Sequence, residues 1–116
     1  IEENAFYGLS ELKTLHLTDN KLQILLGYEF NGLQKLAELY LNINRIQFIS
    51  NLTFSALTSL RYLNLAKNNL LHPVEKSLLY FGSNYNLVNL IIDTNHPNSN
   101  AIKISTTFNK NSHDLN

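Results

Sequence analysis

Leucine and asparagine recur in this chain in one fixed pattern. The pattern L-x-x-L-x-L-x-x-N occupies residues 12–20, 36–44 and 60–68, so its copies lie 24 residues apart, and a looser fourth copy occupies residues 87–95. Two further apolar columns have the same spacing: Phe6, Phe30 and Phe54, and Leu9, Leu33 and Leu57. A fixed period of this length indicates stacked repeats, because one repeat alone cannot bury its own apolar face.

Each copy of the pattern reads as a short strand. Side chains two positions apart in a strand point to the same face, so Leu15 and Leu17 lie together, as do Leu39 and Leu41. Parallel strands of successive turns lie about 4.8 Å apart, which places these leucines in one inner row. The segment after each strand carries the phenylalanine and closes the core from the opposite side. The pattern therefore predicts a solenoid with a parallel sheet along one side and mostly irregular chain along the other.

The three regular copies resemble the leucine-rich repeat family in its 24-residue form, and the resemblance extends over about residues 1–95. It implies an α/β fold class, with a right-handed solenoid, a concave parallel β-sheet and a mostly irregular convex side. Repeats of this length with a convex phenylalanine are similar to those in the ectodomains of Toll-like receptors and small extracellular proteoglycans. The resemblance therefore implies a protein-protein interaction module, namely a ligand-recognition or adhesion segment of a larger extracellular or cell-surface protein.

Two alternative functions stay open on the sequence. One is an intracellular, cytoplasmic scaffold or adaptor, and the other is a repeat segment of a larger signalling enzyme whose catalytic domain lies elsewhere. The sequence lacks the cysteine-rich caps, signal segment and membrane anchor that accompany extracellular family members. A full-length reading frame with a signal peptide and capping cysteines would favour the extracellular interpretation. A kinase-like or ligase-like neighbouring domain would favour the others.

The register of the repeats also predicts the domain limits. Residues 1–9 match the second half of a repeat, so we expect a fragment of a longer protein, with a repeat array over residues 1–108 of about four strand turns, the first and last incomplete. Residues 109–116 are predicted to form a frayed polar tail. The third unit is longer by three residues, and Pro73 with the helix formers after it predicts one or two helical turns within residues 75–81. The open strand edge of the first repeat predicts self-association through uncapped ends.

The asparagine that ends each copy has a structural interpretation. Its side chain offers two donors and an acceptor, so at a buried turn it can satisfy backbone groups of two neighbouring turns. We therefore predict that four asparagines form a structural ladder: Asn20, Asn44, Asn68 and Asn95.

The third and fifth positions of each copy point away from the leucine core and tile the outer surface of the sheet. They vary while the core positions repeat, as expected of a binding surface on a constant scaffold. We predict that a protein ligand contacts this concave face at eight positions: Thr14, His16, Glu38, Tyr40, Tyr62, Asn64, Asn89 and Ile91. Tyr40 and Tyr62 are the expected anchors, since tyrosine buries a large ring and keeps a polar tip. The alternative is a plain solvated face.

Composition narrows the classes of partner. The chain has 9 Lys and Arg residues and 9 Asp and Glu residues, so its formal net charge is zero. Nucleic-acid binding needs a basic patch that displaces phosphate counterions, and we therefore expect no nucleic-acid partner. No apolar run approaches the roughly 18 residues of a membrane helix, so we expect no membrane insertion within this segment. The absence of cysteine excludes disulfides, zinc fingers and thiol nucleophiles.

Catalytic chemistry has little support in the sequence. The four histidines lie in different repeats, and no catalytic or phosphate-binding motif is present. We therefore predict no enzyme activity, no metal site and no cofactor.

One N-x-S/T sequon is present, Asn51-Leu52-Thr53. It makes Asn51 a candidate glycosylation site if the protein is secreted. In a chain so rich in asparagine, a chance sequon is the alternative.

Overall fold

The computed structural model describes residues 1–50, 52–70, 89–92 and 104–107. Within these ranges the chain forms seven short strands: β1 (Thr14–His16), β2 (Ile24–Leu25), β3 (Glu38–Tyr40), β4 (Phe48–Ile49), β5 (Tyr62–Asn64), β6 (Asn89–Ile92) and β7 (Ile104–Thr107). No helix occurs in this part of the chain. The helical turns predicted within residues 75–81 lie outside the described residues.

Strands β1, β3, β5, β6 and β7 form the main sheet, in that order. The first four strands run parallel, so the predicted solenoid with a parallel sheet is confirmed. Leu15 pairs with Leu39 and Leu39 pairs with Leu63, which makes the register equal to the 24-residue repeat. Leu63 pairs with Leu90, 27 residues later, because the third turn carries three extra residues. Strand β7 runs antiparallel to β6, a departure from the parallel order that the repeat pattern did not predict.

Strands β2 and β4 form a second, parallel sheet on the return half of two successive turns. Leu25 and Ile49 are in register and buried in the core. Ile24 and Phe48 are also in register, and both are about half exposed. The alternation of side chains along a strand separates the two pairs. Apart from these strands, the described return segments consist of turns and irregular chain, as predicted.

Leucines from the strands and phenylalanines from the return segments meet in one core. Leu39, Leu63 and Leu90 lie on successive strands of the main sheet and are fully buried. The rings of Phe30 and Phe54 stack with centroids 6.2 Å apart. Burial of one large apolar side chain contributes about 1.5–3 kcal/mol, so the stacked leucines and phenylalanines supply the main driving force for joining the turns.

The first turn is less buried than the second. Leu15 and Leu17 are only partly buried, whereas Leu39 and Leu41, their counterparts one turn later, are fully buried. The difference arises because β1 lies at one edge of the main sheet, with β3 as its neighbour on one side. A strand in this position presents backbone groups that can pair with another chain.

Asn44 joins two turns through its side chain. Its Nδ2 donates to the carbonyl oxygen of Leu41 in the same turn at 3.0 Å and to that of Leu17 in the preceding turn at 2.9 Å. Its Oδ1 accepts from the amide of Leu22 at 3.1 Å. With a longer bond to the carbonyl oxygen of Asn42 at 3.3 Å, the side chain bonds to four backbone groups at a buried turn, where water cannot easily replace it.

Asn68 repeats this arrangement one turn later. Its Nδ2 donates to carbonyl oxygens in two turns, and its Oδ1 accepts from the amide of Ile46 at 3.0 Å. Asn20 is exposed, and in the described part of the chain its side chain donates only to carbonyl groups of its own turn. Asn95 lies outside the described residues. Asn44 and Asn68 therefore link neighbouring turns, whereas Asn20 closes a single turn.

We expect Asn44→Ala to lower the free energy of unfolding by about 1–3 kcal/mol, because it removes the acceptor of the Leu22 amide. It also removes one of the two asparagine donors from each of the carbonyl groups of Leu17 and Leu41. Asn44→Asp should cost at least as much, since a carboxylate has no donor for the carbonyl groups. Asn20→Ala is the matched control and should cost under about 1 kcal/mol. Urea denaturation followed by circular dichroism measures all three. Equal losses for the two alanine variants would contradict a cross-turn role for Asn44.

Glu29 is a buried carboxylate that orders the turn after β2. Its Oε2 accepts from the amide of Leu26 at 2.7 Å, and its Oε1 accepts from the amides of Gly27 at 2.9 Å and Tyr28 at 3.1 Å. Burial by itself raises the pKa of Glu29, but the backbone donors outweigh it and hold the pKa below the ordinary value of 4.5. The turn also depends on Gly27, whose φ of 120° is disfavoured for other residues.

The pKa of Glu29 is lower in the folded chain than in the unfolded chain. Its stabilising contribution is therefore complete above the ordinary pKa of 4.5 and is lost as the pH falls through the lower folded-state pKa. We expect Glu29→Gln to lower the free energy of unfolding by about 1–3 kcal/mol at neutral pH, because one amide oxygen cannot serve three donors. The gap between wild type and variant should shrink in acid.

Denaturant titrations at a series of pH values measure this effect of Glu29. Glu11→Gln is the control, since Glu11 is an exposed residue that pairs with exposed Lys35 at 2.9 Å. Exposed ion pairs contribute about 0–1 kcal/mol, so this variant should differ little from wild type. A difference between wild type and Glu29→Gln that stays constant from neutral to acid pH would show that the carboxylate charge is not what stabilises the turn.

Candidate binding surface on the main sheet

The outward side chains of β1, β3 and β5 form a regular grid. One row contains Thr14, Glu38 and Tyr62 in register, and the next contains His16, Tyr40 and Asn64; we call these six residues the sheet face. His16 is exposed and the other five are half-buried. The alternation that buries the leucines of these strands turns the sheet face outward. The structure thus brings six of the eight predicted contact residues together.

Three rings of the sheet face are in contact across the strands. The imidazole of His16 stacks on the ring of Tyr40, with centroids 4.2 Å apart and planes inclined by 10°. The ring of Tyr40 meets that of Tyr62 at a centroid distance of 5.0 Å and an angle of 42°. We call these three residues the aromatic row. Such contacts contribute about 0.5–1.5 kcal/mol beyond burial, so the rings hold one another in place.

Hydrogen bonds fix the polar ends of the aromatic row. The hydroxyl of Tyr40 donates to Oε1 of Glu38, two positions back on the same strand, at 2.7 Å. Nδ2 of Asn64 donates to the hydroxyl oxygen of Tyr62 at 3.2 Å, and Oδ1 of Asn64 accepts from the amide of Ala66 at 3.0 Å. The orientations of both tyrosines are therefore set within the chain, which lowers the entropy cost of binding a ligand.

The carboxylate of Glu38 changes the acidity of Tyr40. The hydrogen bond between them, together with burial and the negative charge of Glu38, raises the pKa of Tyr40 from its ordinary value of 10 to about 12. The hydroxyl of Tyr40 is therefore a donor over the whole physiological pH range, and the negative charge at this place belongs to Glu38.

Strand β6 extends the grid by one strand. Asn89 is in register with Tyr62 and Ile91 is in register with Asn64, so the backbone of β6 brings the last two predicted contact residues beside the sheet face. Ile91 is half-buried. Asn51, the candidate glycosylation site, lies outside the described residues.

Strained backbone beside the sheet face was missed by the sequence analysis. Asp19, Ile43 and Lys67 each precede a predicted ladder asparagine and have φ between 56° and 59°. Aspartate tolerates this left-handed conformation, but a β-branched residue is unfavourable there. Ile43 nevertheless occupies it with its side chain 42% exposed. The sequence contains one indication of this strain: Ile43 is apolar, whereas the residues at the same position of the neighbouring repeats, Asp19 and Lys67, are polar.

The described ranges offer neither a cluster of metal-ligating side chains nor a helix that could cross a membrane. These ranges contain no group of three or more His, Asp or Glu side chains placed to hold a metal ion. Among the same residues, no helix has the length and hydropathy needed to cross a membrane.

The repeat register and the fold define the class of protein. The family model described as leucine rich repeat matches three overlapping sections, residues 1–44, 11–70 and 34–96. This chain belongs to the leucine-rich repeat family. The fold of this family is a protein-interaction fold, in which a stacked scaffold presents an extended surface. No curated protein matches the chain.

Solved structures that are similar to the chain include complexes of TLR13 and of Toll. One is TLR13 in its complex with ssRNA13, with 30% identity and a TM-score of 0.71 over 79% of this chain and 13% of the TLR13 chain. The other is the glycosylated form of the Toll–Spatzle complex of Drosophila, with 24% identity and a TM-score of 0.58 over 84% of this chain and 14% of that chain. The predicted resemblance to Toll-like receptors is confirmed, and the chain spans only a small part of the length of these neighbours.

We expect Tyr40 to remain largely protonated at about pH 11, since its pKa is about 12. Glu38→Gln should bring this pKa back toward 10, because the amide carries no charge. Since the pKa is raised by folding, the stabilisation from protonated Tyr40 is complete below pH 10 and is lost as the pH rises through about 12. Carbon NMR of the tyrosine Cζ atoms during alkaline titration measures the pKa. An unchanged value in Glu38→Gln, with Glu11→Gln as the control, would contradict the assignment to Glu38.

Proposed function

We propose that this chain is a ligand-recognition segment of a larger extracellular or cell-surface leucine-rich repeat receptor, and that it binds a protein ligand through the sheet face. The observation that carries this proposal is the aromatic row with its hydrogen bonds to Glu38 and Asn64. Tyrosines that are held in place and surrounded by polar side chains are typical of the residues that contribute most to protein interfaces.

The rigidity of the sheet face supports binding over a purely solvated surface. A flexible tyrosine loses side-chain freedom when a ligand fixes it, at a cost of about 0.5–1.5 kcal/mol for each immobilised side chain. Tyr40 and Tyr62 have already lost most of that freedom through ring contacts and hydrogen bonds. More of the contact energy therefore remains available for affinity.

The extracellular assignment rests on the similarity to TLR13 and to the Toll–Spatzle complex. This chain covers 13% of the TLR13 chain, so the proposal concerns ligand recognition and includes no signalling output. We also propose that the segment itself is not catalytic. An intracellular scaffold, or the repeat segment of a signalling enzyme, remains the alternative, and both would use the sheet face in the same physical way.

Single-stranded RNA is a second candidate ligand, because the TLR13 neighbour was solved with ssRNA13. Aromatic side chains can stack on exposed bases, and the aromatic row offers three rings. Electrostatics favours a protein ligand instead. The sheet face carries the negative charge of Glu38, and a chain of zero net charge offers little counterion release on binding phosphates.

Binding of the 116-residue chain to a panel of purified extracellular proteins and to single-stranded RNA tests the proposal. For a protein that binds, we expect the double variant Tyr40→Ala/Tyr62→Ala to weaken affinity at least about tenfold, which corresponds to about 1.4 kcal/mol. Phe48→Ala is the matched control, because Phe48 is an aromatic residue 49% exposed on the second sheet.

The panel has three informative outcomes. Loss of affinity in the tyrosine double variant, with Phe48→Ala within about twofold of wild type, supports the proposal. The reverse pattern assigns the ligand to the second sheet and refutes it. Binding of RNA alone, with an affinity that falls steeply as salt is added, favours the second candidate.

A further inference from the structure

We propose that Glu38 is the receptor for an arginine side chain of the protein ligand, and that this contact selects for basic ligands. The inference rests on the proposed function, because it names the chemistry of the partner at the same sheet face. No side chain of the described residues forms an ion pair with Glu38.

Glu38 is the charged residue of the sheet face, since Thr14, Tyr40, Tyr62 and Asn64 are neutral and His16 is formally so at pH 7. The ion pair found in the described part of the chain joins Lys35 to Glu11 and leaves Glu38 out. Two cationic residues immediately precede the strands on either side of β3: Lys13 before β1 and Arg61 before β5. The carbonyl oxygen of Lys13 accepts from the amide of Ala37, and the amide of Arg61 donates to the carbonyl oxygen of Ala37. Ala37 immediately precedes Glu38.

The side chains of Lys13 and Arg61 are exposed and form no ion pair with Glu38, although their backbones flank it. A half-buried carboxylate without an opposite charge keeps the desolvation cost that a partner cation would offset. The hydrogen bond to Glu38 is the main cause of the raised pKa of Tyr40, which places the carboxylate at the polar end of the aromatic row. Glu38 therefore lacks a cationic partner, and a bound ligand could supply one positive charge.

The geometry of Glu38 suits a guanidinium group. The hydroxyl of Tyr40 holds Oε1 and so fixes the carboxylate in one orientation, and Oε2 has no hydrogen-bond partner among the described residues. A carboxylate oxygen can accept more than one hydrogen bond, so both oxygens can face the planar fork of an arginine. Tyr40 donates to this carboxylate, and Tyr62 on β5 is in register with Glu38. Arginine also packs on aromatic surface better than lysine, because its guanidinium is planar and weakly hydrated.

Other ligands fit this site less well. A divalent metal ion prefers several oxygen ligands, and the described residues place no cluster of acidic side chains here. A phosphate group of RNA would meet the negative charge of Glu38 directly. The site therefore discriminates between the two candidate ligands of the proposed function, and it does so by the sign of one charge.

Titration of the isotopically labelled 116-residue chain with N-acetyl-arginine methylamide tests the inference, with the citrulline analogue as a neutral probe of the same shape. We expect the arginine probe to shift the side-chain NMR signals of Glu38, Tyr40 and Tyr62 in a saturable way. The citrulline probe should bind at least about fivefold more weakly, because it lacks the charge. Glu38→Gln should reduce binding of the arginine probe by a similar factor, whereas Glu11→Gln should not.

The amide spectrum of each variant reports whether it is folded, and the comparison of arginine with citrulline needs no variant. Equal binding of the two probes, or no shift at Glu38, overturns the inference. Its failure is distinct from failure of the proposed function. A protein ligand that requires Tyr40 and Tyr62 but binds Glu38→Gln as tightly as wild type would preserve the function and refute the arginine contact. Binding of the arginine probe, when no protein of the panel binds, would support the arginine site and count against the proposed function.

Discussion

The in-register stacking of one turn on the next is the interaction on which this structure depends. Leu39 and Leu63 lie on neighbouring strands and are fully buried because the repeat returns the chain to the same depth. The asparagine side chains then satisfy backbone groups that this stacking removes from water, with Asn44 bonding to Leu17 in the preceding turn. Apolar burial drives the turns together, and the amide hydrogen bonds remove the penalty that burial would otherwise impose on the backbone.

Regular strands on the inside create a regular grid on the outside. Because the register pairs His16 with Tyr40, two rings from sequence positions 24 residues apart meet face to face. Tyr62 then joins them from the diagonal position on β5. The strand register therefore holds side chains of different repeats at contact distance, without any local sequence signal.

The stacking of the turns also accounts for the strained backbone at Ile43. The turn before each ladder asparagine requires left-handed backbone, and the chain accepts an isoleucine there at a cost in conformational energy. The repeat geometry, which many contacts stabilise, overrides the preference of one residue. Glu29 shows the complementary case, in which one buried carboxylate serves three backbone amides of a single irregular turn.

Much of the fold could be predicted from the sequence because leucine-rich repeats encode their own register. The spacing of Leu15, Leu39 and Leu63 predicts the parallel strands, and the three extra residues of the third unit account for the pairing of Leu63 with Leu90. The outward positions also follow from strand alternation alone. The antiparallel pairing of β7 could not be predicted, since it follows no repeat and depends on which strand edge is open.

Strand alternation and the 24-residue period are enough to assign residues to the sheet face, because together they fix the direction of each side chain. How these residues interact depends on the packing of the strands against one another. The stacking of His16 on Tyr40 and the hydrogen bond from Tyr40 to Glu38 depend on side-chain rotamers that neighbouring strands select together. The physical reason is that periodicity specifies the direction of a side chain, whereas contact and charge balance depend on which neighbours the packed strands bring within reach.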